Sequence, residues 1–190
     1  MLSAEFLRSK FQAGLPYAAY VSTAKPGERP RWDAMNQRST LTPAQTALLK
    51  GFHREMNVLV VSGTWCGDCV QQCPLIARIA ESNPDKIHLR FVDRDQHHDL
   101  ADRIMINAGH RVPTAIFMAE DFEFVSLLGD RTLSRYRAAA ARQLGPACPV
   151  PGAPVPDDEL AACLQEWLNE FERVQLLLRL STRLREMHGD

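Results

Sequence analysis

The chain has 190 residues, of which 45% are hydrophobic and 24% are charged, and its formal net charge is −1. These values are ordinary for a globular protein with a buried core, and the charge gives no electrostatic reason for binding nucleic acid or an anionic membrane. No stretch approaches the roughly 18 apolar residues of a membrane-spanning helix, and the first residues lack the pattern of a secretory signal. Three of the five cysteines lie within 66–73, which argues against a secreted disulfide framework. We therefore predict a cytoplasmic protein.

The first 50 residues predict an irregular helical extension. An amphipathic piece covers 5–20 and is interrupted by Gly14 and a proline, and a polar loop, KPGERPR, follows it. Thr42 is predicted as the N-cap of the next helix, since a proline follows it and Gln45 stands where a capping box requires it.

The middle of the chain alternates between strand and helix patterns. Short apolar or alternating runs predict strands, and 3.6-residue periodicity predicts helices. The predicted strands are 57–63, 87–93, 114–119 and 122–128, and the predicted helices are 66–81, 97–108 and 132–144. This order is typical of a small α/β domain with a mixed sheet, which we place at 51–144.

The end of the chain predicts a linker and a long helix. Five of the twelve prolines lie in 145–156, which indicates a stiff, extended linker. Residues 157–190 predict one helix that carries a continuous apolar stripe. The stripe consists of Leu160, Leu164, Trp167, Phe171, Val174 and Leu178. Such a stripe either folds back over the domain or pairs with a second copy, and we expect it to contribute to a homodimer.

Cys66 and Cys69 have the C-x-x-C spacing and open the helix that follows the first strand. Because the free N–H groups of a helix start stabilise an anion, this position favours a thiolate at Cys66. A thiolate attacks disulfides, and a second cysteine one helical turn later can resolve the mixed disulfide. A zinc half-site has the same spacing, so the motif alone leaves both interpretations open.

Four features in order resemble the thioredoxin family over about residues 50–144. They are WCGDC at 65–69, the proline at 74, the aspartate at 93 and RVPT at 111–114. The resemblance implies a thioredoxin-like fold with a central mixed sheet of about four to five strands flanked by helices. It also implies a cis peptide bond before Pro113 and a backbone site for extended substrates at Val112.

The same resemblance implies a function. Cys66 would attack a protein disulfide, Cys69 would resolve the mixed disulfide, and a reductase-like donor would restore the dithiol. No cofactor or metal would be needed. The implied substrate groove consists of Trp65, Gly67, Asp68, Val112 and Pro113. The alternative is a redox-sensing or partner-binding protein on a thioredoxin scaffold, without efficient turnover.

Two departures from the family keep that alternative open. Many thioredoxins carry a buried acid six residues before the first cysteine and a basic residue that accompanies it, and these positions are here Val60 and Leu89. Asp68 stands where many thioredoxins have proline, and its charge should oppose a thiolate at Cys66. We also consider Asp68 as an exposed base for Cys69.

Cys73 shares a helix face with the C-x-x-C pair. It is interpreted as a small buried residue or as a third redox thiol or metal ligand. A C-x2-C-x3-C-P run resembles part of a ferredoxin motif, but a fourth cluster ligand would have to come from Cys148, Cys163 or a histidine. Cys163 is offset from the apolar stripe, which favours packing at its edge.

Overall fold

The computed structural model of the protein describes residues 2–144 and 158–190. Its four strands form one sheet in the order β2-β1-β3-β4. The strands are β1 (Met56–Ser62), β2 (Ile87–Asp93), β3 (Thr114–Ala119) and β4 (Phe124–Gly129). The helices are α1 (Ala4–Ala13), α2 (Tyr17–Ser22), α3 (Arg29–Arg38), α4 (Pro43–Lys50), α5 (Gly67–Glu81), α6 (His98–Ala101), α7 (Leu133–Gln143), α8 (Glu159–Leu180) and α9 (Thr182–His188), with a 3-10 turn at Arg94–Gln96.

Strand β1 is the centre of the sheet. It is parallel to β2 and antiparallel to β3, and all seven of its residues are buried. A strand covered on both faces is expected to be a continuous apolar run, and this one is nearly so. Its last residue, Ser62, pairs with Asp93 at the end of β2. Helix α5 starts five residues after Ser62. The C-x-x-C motif therefore lies at the edge of the sheet where the parallel strands β1 and β2 both end.

The N-terminal extension packs onto the sheet edge and onto α5. Leu15, between α1 and α2, exchanges two backbone hydrogen bonds with Phe91 of β2, each 2.8 Å long. This residue therefore pairs with the outer edge of the sheet. The capping box of Thr42 and Gln45 at the start of α4 is present as predicted. The sequence does not predict helix α3, whose first turn overlaps the loop predicted at KPGERPR. Arg29 begins this helix, and its Trp32 is fully buried.

Helix α8 folds back over the chain's own domain, against α5 and β4. Five members of the apolar stripe are buried there, and Leu160 is partly buried against the core. The stripe is therefore not free to pair with a second copy, and the predicted homodimer has no support from it. The predicted long C-terminal helix is confirmed as α8. It does not continue as a single helix to residue 190, since Ser181 ends it and caps α9 by accepting a hydrogen bond from the Leu184 N–H.

Two other boundaries differ from the sequence prediction. The helix predicted over 97–108 ends at Ala101, and Asn107 and Ala108 adopt the left-handed conformation in a turn closed by Ile106 and Gly109. The fourth strand begins at Phe124 rather than at 122, because Phe122 also has a positive φ. The four-stranded mixed sheet flanked by helices is otherwise confirmed.

The predicted linker at 145–156 and Cys148 lie outside the described residues. The proposed division of the chain into four segments therefore stays a prediction. Among the described helices, none is both long and apolar enough to cross a membrane.

Candidate active site

The two cysteines of the motif occupy different environments at the start of α5. Cys66 is the N-cap residue and is partly exposed, whereas Cys69 lies one turn into the helix and is completely buried. Both are free thiols. The Cys66 thiol contacts the carbonyl oxygen of Val112 at 3.7 Å and donates to it. An accessible sulfur backed by a buried one is the arrangement that sequential disulfide exchange requires.

The ionisation of the pair is set by opposing effects. The Cys69 thiol and burial raise the pKa of Cys66, whereas the backbone N–H groups of Cys69 and Asp68 lower it. The helix start lowers the pKa of Cys66, but in the dithiol form the neighbouring sulfur and burial raise it more, so the predicted thiolate at Cys66 is not favoured. Burial also raises the pKa of Cys69 well above its usual value. The buried thiol therefore needs a stabilising partner to react as a thiolate.

Pro113 and Val112 lie beside Cys66. The peptide bond between them is cis. The Val112 carbonyl oxygen accepts the hydrogen bond of the Cys66 thiol. The preceding residue, Arg111, places its guanidinium 3.9 Å from the carboxylate of Asp130. Cys66 and Val112, 46 residues apart in the sequence, are therefore in direct contact.

Trp65 is 44% exposed at the rim of the motif. The guanidinium of Arg94 lies 4.6 Å from the centre of its ring, within cation–π range. The ring also lies against Gly63, where a Cβ would approach the indole to 2.8 Å. Gly67 is exposed, and a Cβ there would meet no atom within 4 Å. The motif is therefore accessible at Gly67, and the Trp65 ring lies along one side of it.

Asp68 is not an exposed base. Its side chain is only 15% exposed and accepts from Arg131 Nε at 2.9 Å and from Arg135 at 2.6 Å. Burial opposes its charged form, but the two arginines hold the pKa of the carboxyl below its usual value. Arg135 also pairs with Glu159 at 2.6 Å, so one guanidinium links α5 to the start of α8. The charge of Asp68 is compensated locally, which weakens its expected opposition to a Cys66 thiolate.

Replacing Asp68 by asparagine is expected to lower the free energy of unfolding at pH 7 by about 2 kcal/mol, because two partly buried arginines lose their shared anion. The folded-state pKa of Asp68 is lower than the unfolded value of 3.8. Its contribution is therefore complete above that value and is lost as the pH falls through the folded pKa. Urea unfolding of both proteins should show the difference shrinking in acid.

The matched control for this prediction is Glu81→Gln. Glu81 pairs with Arg78 on the same helix, but its side chain is 51% exposed. An exposed pair of this kind contributes about 0.5 kcal/mol. Equal losses for Asp68→Asn and Glu81→Gln at pH 7 would contradict a structural role for the Asp68 ion pairs.

The loop before Cys66 is held by the N-terminal extension, which the sequence did not indicate. The indole N–H of Trp32 donates to the Thr64 carbonyl oxygen at 2.9 Å, and the Thr64 hydroxyl donates to Glu28 at 2.8 Å. Both partners lie on or next to α3. The extension therefore helps to position the residues that lead into the motif.

The C-terminal helix is bonded to the other side of α5. Gln72 is fully buried, accepts from the Trp167 indole N–H at 3.2 Å and donates to the Asp130 carbonyl oxygen at 2.9 Å. The Cys163 thiol contacts the same Gln72 oxygen at 3.9 Å. Burial raises the pKa of Cys163 to about 11, so it remains a thiol near neutral pH.

Cys73 is completely buried, and its sulfur lies 3.5 Å from the Ser62 hydroxyl. Within the described ranges, no group of three or more His, Cys, Asp or Glu side chains is placed to hold a metal ion. The cysteines at 66, 69 and 73 follow one another from the N-cap of α5 into its second turn, and Cys69 and Cys73 are both buried.

The comparisons with known proteins agree with this architecture. A sequence profile of the thioredoxin family, described as "Thioredoxin", matches residues 14–137, and the chain therefore belongs to the thioredoxin family. The match begins well before residue 50, so it includes most of the extension that the resemblance had left out. No curated protein sequence matches the chain.

Among solved structures, a protein of unknown function from Pseudomonas aeruginosa is similar over 92% of this chain and 97% of its own, with 18% identity and a TM-score of 0.68. An HIV epitope scaffold is similar over 88% and 95%, with 18% identity and a TM-score of 0.63. The germline-specific thioredoxin Deadhead of Drosophila melanogaster covers 50% of this chain and 88% of its own, with 18% identity and a TM-score of 0.37. The first two matches extend over most of both chains.

Proposed function

We propose that the protein is a thiol–disulfide oxidoreductase that reduces or exchanges protein disulfides through Cys66 and Cys69. The observation that carries the proposal is the pairing of a partly exposed Cys66 at the helix start with a buried Cys69 one turn later. Membership of the thioredoxin family supports it. The groove would consist of the proposed substrate-binding residues Trp65, Gly67, Asp68, Val112 and Pro113, with Asp68 acting through its arginine partners.

The reaction follows from this geometry. The Cys66 thiolate attacks one sulfur of a substrate disulfide, and the other substrate sulfur leaves as a thiolate and takes up a proton. The Cys69 thiolate then attacks the Cys66 sulfur, and the second substrate sulfur leaves. Two electrons pass to the substrate, and the protein is left with a Cys66–Cys69 disulfide. These steps involve no bound cofactor.

The proposal extends to partners and location. The electron donor would be a thioredoxin-reductase-like protein, since a second dithiol must reduce the Cys66–Cys69 disulfide after each turnover. The clustering of three cysteines within 66–73 is more typical of a reducing compartment than of a secreted disulfide framework, which supports a cytoplasmic location.

An insulin-reduction assay with dithiothreitol tests the proposal. The wild type should accelerate the reaction, and Cys66→Ser should give only the rate of dithiothreitol alone. Cys163→Ala is the matched control, because it removes a buried thiol outside the pair and should keep the wild-type rate. Equal rates for wild type and Cys66→Ser would reject the enzyme.

The alternative, a redox sensor or partner-binding protein, is favoured by one observation. The position of the family's buried acid is occupied by Val60, which is fully buried in β1, so no carboxylate can serve Cys69 from there. A sensor would form the Cys66–Cys69 disulfide once but would not turn over insulin in the same assay.

A further inference from the structure

The resolving thiol lacks a carboxylate at the usual position, but it does not lack polar neighbours. Cys69 is completely buried, and so are Ser62, at the end of β1, and Cys73, one turn further along α5. The Ser62 hydroxyl lies 3.5 Å from the Cys73 sulfur. Ser62 also lowers the pKa of Cys69, which places its hydroxyl near that sulfur as well. One hydroxyl therefore lies near two buried thiols.

The position of Ser62 follows from the fold. It is the last residue of β1, and α5 starts five residues later. Cys69 and Cys73 are four residues apart on α5, so they share the helix face that packs toward the end of β1. A buried serine hydroxyl is costly unless it is hydrogen-bonded, and that of Ser62 faces the Cys73 sulfur.

We propose that Ser62 is a positioning residue for the resolving step: its hydroxyl donates a hydrogen bond to the Cys69 sulfur as that sulfur becomes a thiolate, while the Cys73 thiol donates to the Ser62 oxygen. This inference rests on the proposed function, since it concerns the second step of the same exchange. The proton that Cys69 loses is released, and the leaving substrate sulfur takes one up. The step is balanced without a fixed base.

The direction of this bonding has a physical reason. A thiolate is an acceptor only, so the group that faces it must donate, and a bond to a charged acceptor is stronger than one between neutral groups. Burial raises the pKa of Cys69 most and Cys73 raises it further, whereas Cys66 and Ser62 lower it.

The other ionisable groups around the cluster cannot replace Ser62. Cys66 is the target of the attack and not a base. Tyr20 of α2 is buried beside the cluster, and burial strongly raises the pKa of its phenol, so it stays neutral. Its hydroxyl has no hydrogen-bond partner within the described residues. Asp93, which pairs in register with Ser62, is engaged in capping the turn that follows β2.

The experiment follows the two steps separately with 5,5′-dithiobis(2-nitrobenzoate). Each protein also carries Cys148→Ser, so that this thiol does not react. Attack by Cys66 releases the first thionitrobenzoate, and attack by Cys69 on the resulting mixed disulfide releases the second. In Ser62→Ala the second phase should be about tenfold slower at pH 7 and its apparent pKa about one unit higher. The first phase should change less than about twofold, because Cys66 does not contact Ser62.

Three further variants separate bonding from packing. Ser62→Thr keeps the hydroxyl and should restore most of the second-phase rate. Ser39→Ala removes another buried hydroxyl, which donates to the Met35 carbonyl oxygen at 2.9 Å, and should leave both phases unchanged. Cys73→Ala removes a thiol that raises the pKa of Cys69, so it should leave the second phase unchanged or speed it. A slowing as large as that of Ser62→Ala would mean that packing of the cluster sets the rate and would overturn the proposal.

The outcomes for the two proposals are distinct. Two phases in the reference protein with the same second-phase pH profile in Ser62→Ala would overturn the role of Ser62 alone. Equal slowing of both phases in Ser62→Ala would also overturn it, since that result indicates disturbed packing. A reference protein that releases only the first thionitrobenzoate would reject the dithiol exchange itself.

Discussion

Replacing Trp167 by alanine is expected to lower the free energy of unfolding by about 4 kcal/mol. Trp167 is fully buried on α8, so the change removes a large apolar surface and leaves a cavity that the surrounding helices fill only partly. It also removes the indole N–H that donates to Gln72 Oε1 at 3.2 Å. That oxygen is buried and keeps only the weak contact with the Cys163 thiol.

Urea unfolding followed by circular dichroism measures this loss, and Leu176→Ala is the matched control. Leu176 lies on the same helix but is 54% exposed, so its replacement should change the free energy of unfolding by no more than about 0.5 kcal/mol. A loss below about 1 kcal/mol for Trp167→Ala would mean that α8 does not pack on α5 in solution.

The consequence for the site is that both terminal extensions support the active-site helix. The N-terminal extension holds the Thr64 carbonyl through Trp32, and α8 holds Gln72 through Trp167. Arg135 connects Asp68 of the motif to Glu159 of α8. The motif is therefore embedded between two segments that flank the sheet, which restricts the open approach to the side of Gly67 and Trp65.

Much of this fold could be predicted from local patterns. The strands β2 and β3 have the predicted bounds, and α5 begins within one residue of its predicted start, because short apolar or alternating runs and 3.6-residue periodicity leave strong local signals. The break at Ser181 had a signal that was missed. Leu184 is buried six residues after Leu178, a spacing that a single helical stripe does not have.

The partners of the site residues could not be predicted in the same way. Arg131 and Arg135 are 63 and 67 residues from Asp68, and no periodicity relates them to the motif. The contact between Ser62 and Cys73 likewise depends on how β1 meets α5, which a single sequence does not specify. Cys66 and Cys69 can be identified as a candidate pair from their spacing in the sequence. The contacts that the surrounding side chains make with one another cannot be predicted from spacing.

The Cys69→Ala variant tests the central claim most directly, because it removes the resolving thiol and leaves the attacking one. Without an intramolecular thiol, the mixed disulfide on Cys66 must wait for a thiol from solution, and turnover should fall by more than about a thousandfold. Reduced Cys69→Ala is mixed with a disulfide-containing peptide, quenched with acid and analysed by intact mass. Cys66→Ser is the control, and it should form no adduct.

The account predicts that Cys69→Ala accumulates one covalent peptide adduct, that the adduct maps to Cys66, and that dithiothreitol removes it. Wild-type protein should instead end as a Cys66–Cys69 disulfide with the peptide released. An absence of adduct on Cys69→Ala, or an equal adduct on Cys66→Ser, would contradict the assignment of Cys66 as the attacking thiol.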